Sequence, residues 1–172
     1  MTSTALARIP VGVVVERHKA QSPWLDFVCR PVLVLAGVPE AAPGTVIRSE
    51  GEVTTFYVGE AVIELHRTEC ANYRDNIASG APQLWVVMRP AESEMRFDLL
   101  CVTADPAEGE ALTGAGNDLV EPVAMPPPII EILKRFIAEH PVQQPFFKRE
   151  REPATSSSPT PRAALRRGHE RT

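Results

Sequence analysis

Val53-Thr54-Thr55-Phe56-Tyr57-Val58-Gly59-Glu60-Ala61-Val62-Ile63-Glu64-Leu65-His66 is the stretch on which the fold class turns. Its two halves, residues 53–58 and 61–66, are rich in β-branched and aromatic side chains and flank a Gly-Glu pair. Glycine at the first central position of a two-residue connection is what a type II′ turn requires, so the spacing predicts a β-hairpin and antiparallel pairing.

Upstream, residues 9–16 alternate Ile9, Val11, Val13 and Val15 on one face, the period of a strand. The other face, Pro10, Gly12 and Val14, is small and partly apolar, so the strand is expected to be covered on both sides. A loop through Ser22-Pro23-Trp24 leads to a neighbouring strand over 27–35, which Gly37 and Pro39 end, and a short strand follows near Val46. Downstream, Thr68 is placed to cap a helix over 69–79, with Cys70, Tyr73 and Ile77 at helical spacing and Gly80 and Pro82 as the stop. Residues 84–89 and 95–103 predict a second hairpin, with Met95, Phe97, Leu99 and Cys101 on one face. Asp105-Pro106-Ala107-Glu108 starts a short helix, 119–124 adds an edge strand, and Pro126-Pro127-Pro128 opens a last helix over 129–139 with a broad apolar stripe. The order predicts an α+β domain: a largely antiparallel sheet of six to eight strands packed by about three helices.

The chain has 172 residues, 44% of them hydrophobic, enough to bury the core of one domain. Its net charge of −4 hides a division: residues 1–147 carry −8 and residues 148–172 carry +4. The C-terminal stretch is rich in Ser, Pro and Arg, and Leu165 is its only large apolar residue, so it lacks the burial that would offset ordering. The expected organisation is a flexible N-terminus over 1–8, a domain over 9–150 and a disordered basic tail over 151–172. No run nears the roughly 18 apolar residues of a membrane span and no secretory signal is visible, so a cytoplasmic location is expected. Three scattered cysteines, Cys29, Cys70 and Cys101, form neither a disulfide framework nor a metal cradle; core packing is favoured for them over sulfur transfer.

The spacing of the residues declares no reaction, and binding is favoured over catalysis. Glu64, His66, Glu69 and Cys70 fall at a strand end and helix start, with Arg67 between them. They form either a small polar site or plain solvated surface. Arg17, Trp24 and Arg30 could form a recognition patch, although Trp24 could equally cap the core. Phe146 and Phe147, followed by Lys148 and Arg149, either dock onto the domain or offer an apolar anchor to a partner. The basic tail is expected to stay solvated and weakly interacting; if it has a partner, an acidic protein surface suits it better than nucleic acid, because the body is acidic and the tail has no aromatics for stacking.

Several stretches together resemble a bacterial domain family of unknown function whose members lie beside formate dehydrogenase genes. They are Ile9-Pro10-Val11-Gly12-Val13-Val14-Val15-Glu16-Arg17, Ser22-Pro23-Trp24, Arg30-Pro31-Val32, Glu64-Leu65-His66-Arg67-Thr68-Glu69, Asn72-Tyr73-Arg74, Leu84-Trp85-Val86-Val87-Met88-Arg89, Val120-Glu121-Pro122-Val123 and Pro145-Phe146-Phe147-Lys148-Arg149. The resemblance covers roughly residues 9–150. It implies an accessory or assembly role around a molybdenum or tungsten formate dehydrogenase, with a dehydrogenase subunit or maturation factor as partner and no intrinsic cofactor. The alternative it implies is a small ligand-binding or catalytic domain associating with molybdopterin guanine dinucleotide, with His66, Arg67, Arg74 and Arg89 as phosphate or pterin contacts. A guanylyltransferase reading fails on the residues. Leu35-Ala36-Gly37-Val38-Pro39-Glu40-Ala41-Ala42-Pro43-Gly44 is the nearest thing to a phosphate loop, and its prolines remove amide donors while Glu40 repels phosphate.

Overall fold

Residues 53–65 do not turn. In the computed structural model, which describes residues 4–93 and 95–142, they form one unbroken strand. The chain order is β1 (Ala7–Lys19), β2 (Phe27–Leu35), β3 (Val46–Glu50), β4 (Val53–Leu65), a 3-10 turn (Arg67–Glu69), α1 (Cys70–Ala78), β5 (Gln83–Pro90), β6 (Phe97–Thr103), α2 (Pro106–Thr113), β7 (Leu119–Ala124) and α3 (Pro127–Glu139). β4 pairs antiparallel with β1 along its whole length, from Ala7 opposite Leu65 to His18 opposite Val53.

The predicted hairpin at Gly59-Glu60 is therefore replaced by a β-bulge. Val13 pairs with Gly59 and Val14 with Tyr57, which leaves Val58 as the extra residue. Gly59 adopts φ +150°, a conformation that suits a glycine at a bulge as well as one in a turn. β1 supplies the physical reason for the long strand, since a partner of 13 residues offers the full ladder that a hairpin would have split in two. The hairpin that does form joins β3 to β4 through Gly51 and Glu52.

Among the described residues, seven antiparallel strands and three α-helices make up the α+β fold, with the strands divided between a sheet ordered β2-β1-β4-β3 and one ordered β6-β5-β7. β4 lies against β6 and β2 against β7, so the two sheets enclose one core. Val11, Val13 and Val15 of β1, Ile63 and Leu65 of β4, and Val86 and Met88 of β5 are buried there with Tyr73 of α1 and Ile129 and Leu133 of α3. The apolar stripe read along residues 129–139 is the buried face of α3, with Phe136 meeting Tyr73 edge to face at 6.2 Å between ring centres.

Two local expectations are corrected. Thr68 does not cap α1. The chain first closes a 3-10 turn, with Glu69 N–H donating to His66 O at 3.1 Å, and no side chain caps either segment. The face expected of Met95, Phe97, Leu99 and Cys101 changes partway along β6. A bulge leaves Leu100 unpaired between Val87–Cys101 and Met88–Leu99, so Val102 and Ala104 take the core positions beyond it. The β1 start at Ala7 lies two residues before the expected domain start. Both the 150–151 boundary and the tail lie outside the described residues.

Candidate functional site

The β1–β4 ladder has two ends, and the sequence-predicted site residues divide between them. The helix end carries His66, Arg67 and Arg74. There α1 is tied to its surroundings by a set of amides and carboxylates centred on the buried Asn76 and Asp105. Asn76 Nδ2 donates to Gln83 O at 2.8 Å and to Ala104 O at 2.9 Å, and its Oδ1 accepts from Gln83 N–H at 3.0 Å. Asn72 Nδ2 reaches Asp105 Oδ1 at 3.0 Å and Glu69 Oε2 at 3.2 Å. Asp105, 5% exposed, caps α2 through Ala107 N–H as its sequence position predicts, and Thr103 Oγ1 donates to Glu108 Oε2 at 2.6 Å. Asn72 and Asn76, which the site prediction did not include, are the centre of this arrangement.

The anticipated polar site of Glu64, His66, Glu69 and Cys70 is drawn into the same structural role. Arg8 pairs with Glu64, His66 Nε2 lies 3.9 Å from Glu64 Oε2, and His66 N–H donates to the Tyr73 hydroxyl at 3.1 Å. Burial raises the Cys70 thiol against the pull of Arg67. Among the described residues no group of three His, Cys, Asp or Glu is placed to hold a metal ion, and no helix is long and apolar enough to cross a membrane. Arg74 lies near Asp75 on the exposed side of α1.

Arg89 does not join the other three. It lies six residues along β5 from Gln83, the residue bonded to α1, which is about 20 Å of extended chain. Its guanidinium is engaged with Asp118 through two hydrogen bonds of 2.9 and 3.0 Å. That pairing holds the Asp118 carboxyl below its usual range and raises the guanidinium.

The loop end is built differently. Trp24, on the β1–β2 connection, is 90% exposed, so it does not cap the core; Leu25 and Phe27 beside it are exposed as well. Arg17 stands opposite Cys29 in the register and Arg30 opposite Glu16, so the two arginines take opposite faces of the sheet. Arg17 joins Trp24, its guanidinium carbon 4.8 Å from the Phe27 ring centre. Arg30 lies with Glu16 and His18 on the far face. Arg17, Trp24, Phe27 and Cys29 meet Arg96 of the β5–β6 connection and Phe97 at the start of β6 around a cavity of about 520 Å³. Arg96 brings its guanidinium 3.6 Å from Asp26 across the two loops. The Cys29 thiol is raised by burial and lowered in part by Arg17. Phe146, Phe147, Lys148 and Arg149 lie outside the described residues.

Two packed antiparallel sheets, a sealed helix end and an open end of aromatic and arginine side chains define a small α+β domain with an exposed aromatic and cationic surface on its loops. Residues 10–151 match the family described as protein of unknown function (DUF3305), and the chain belongs to that family. Neither the curated proteins nor the solved structures contain a match to it.

Proposed function

We propose that this protein is an accessory factor that acts by binding another protein, a subunit or maturation factor of a molybdenum- or tungsten-dependent formate dehydrogenase. The dehydrogenase in this reading rests on the family resemblance carried by residues 9–150. The mode of action rests on one observation, the indole of Trp24 standing 90% exposed beside Leu25 and Phe27, with Arg17 over the Phe27 ring. Burying a large apolar side chain is worth about 2 kcal/mol. A tryptophan left in water at a loop tip forgoes that gain unless a partner covers it, and Trp and Arg are the residue types that dominate binding hot spots. The cofactor-binding alternative is less well supported, because its four basic residues are spread over two ends of the molecule and Arg89 is already neutralised by Asp118.

Titration of the purified chain into the purified dehydrogenase subunits, and separately into its maturation factors, tests the reading. One of them is expected to bind, with Trp24→Ala weakening the complex at least tenfold while leaving thermal unfolding unchanged. No binding to any of them overturns it, and so does a complex indifferent to Trp24.

A further inference from the structure

The polar clusters of the helix end spend their donors and acceptors on one another, but the loop end holds a space that nothing in the described chain fills. About 520 Å³ lies between the β1–β2 and β5–β6 connections, within the range that takes one small organic molecule. Trp24, Phe27 and Phe97 give it aromatic walls. Two guanidinium groups, Arg17 and Arg96, face it with one carboxylate, Asp26. Arg96 is the group that meets Asp26, at 3.6 Å, whereas Arg17 makes no ion pair among the described residues and lies over an aromatic ring. The lining therefore carries one positive charge beyond its own compensation.

The backbone places one of these groups at a cost. Arg96 has φ +64°, the one positive φ at a non-glycine position among the described residues. The left-handed conformation costs a residue with a Cβ about 1 kcal/mol, which glycine would avoid. Arginine at this position keeps a cation on the cavity wall, and such local strain is characteristic of binding sites.

The geometry points to a binding site for a small aromatic anion: a flat ring system held among Trp24, Phe27 and Phe97, with its single carboxylate or phosphate group on Arg17. The one negative charge of a carboxylate neutralises the lining, whereas a phosphate monoester, at nearly −2 near pH 7, exceeds it by about one. A neutral ring of the same shape would desolvate Arg17 and give it no partner, so charge sets selectivity and the rings set affinity. The site goes beyond the docking surface and needs no protein partner.

The test is calorimetric titration of the full chain alone with 1-naphthoate, 1-naphthyl phosphate, neutral 1-naphthol and inorganic phosphate, with amide shifts mapped by NMR. The better of the two aromatic anions is expected to bind at least tenfold more tightly than 1-naphthol and than inorganic phosphate, and its identity names the head group. Shifts should gather at residues 17–29 and 89–97. Arg17→Gln should bring that anion down to the level of 1-naphthol, Arg17→Lys should retain most of the preference, and Arg74→Gln at the other end should change nothing. Equal binding of anion and 1-naphthol overturns the site. So does inorganic phosphate binding as tightly as either aromatic anion, a preference that survives Arg17→Gln, or shifts centred elsewhere. Because no dehydrogenase is present, the result stands or falls apart from the docking proposal.

Discussion

The two ends of the β1–β4 ladder are built by opposite means. At the helix end, Asn72, Asn76, Asp105 and Thr103 satisfy one another and the strand ends around them, and no buried side-chain polar atom among the described residues lacks a partner. At the loop end an indole faces water, an arginine holds a left-handed backbone and a cavity stays open. One end makes every local choice agree with the fold; the other departs from those choices where a binding role would need it. The difference separates residues that specify structure from residues free to recognise something else, and it can be tested by perturbing each end.

The largest effect is expected from Asn76→Ala. It removes three hydrogen bonds and leaves the half-buried Gln83 amide and carbonyl and the buried Ala104 carbonyl unmet. A loss of about 3 kcal/mol in urea unfolding is expected, and a loss under 1 kcal/mol would show the helix end to be less tightly specified than its geometry implies. Gly109→Ala comes next. A Cβ there would stand 2.4 Å from Trp85 Cγ, beneath α2, so about 2 kcal/mol of destabilisation is expected from the same measurement.

Tyr73 gives the helix end a pH signature. Burial pushes its hydroxyl from 10.0 up to about 12, although the bond from His66 N–H pulls the other way. The folded protein keeps this proton through a range in which the unfolded chain has lost it, so stability falls as pH rises from about 10 to about 12, by on the order of 2 kcal/mol. Unfolding midpoints followed from pH 9 to 12 check this, and Tyr73→Phe should flatten the fall. The smallest effect, of opposite sign, belongs to the loop end. Arg96→Gly relieves the left-handed backbone and should raise stability by about 0.5 kcal/mol, net of the freedom glycine adds to the unfolded chain. A destabilised variant would mean that Arg96 is held by the fold and not merely tolerated by it.

Most of the fold was legible because apolar period and capping chemistry are local. Residues 129–139 announce the buried face of α3, and Asp105-Pro106 announces α2. Gly59 misled for a physical reason. A turn and a bulge both place glycine at a positive φ, and both shift the buried residues from even numbers (Phe56, Val58) to odd (Ala61, Ile63, Leu65). Only β1, some 45 residues upstream, decides between them. The same shift in β6, from Phe97 and Leu99 to Val102 and Ala104, marks the bulge at Leu100. The loop-end site was half legible. Trp24 and Arg17 stood out by residue type, but Arg96 and Phe97 reach them across some 70 residues of chain, and no local pattern carries such a meeting.

The bulged strand also bears on how the chain acquires its shape. A hairpin at Gly59 would have closed within microseconds from neighbouring residues. β4 instead finds its longest partner at separations running from 35 residues at His18–Val53 to 58 at Ala7–Leu65. Such distant pairing carries a loop-closure cost before any contact returns it and slows folding. During synthesis from the N-terminus β1 has only β2 on one flank until residue 65 has been added, and its other edge waits, open, for a strand made nearly fifty residues later.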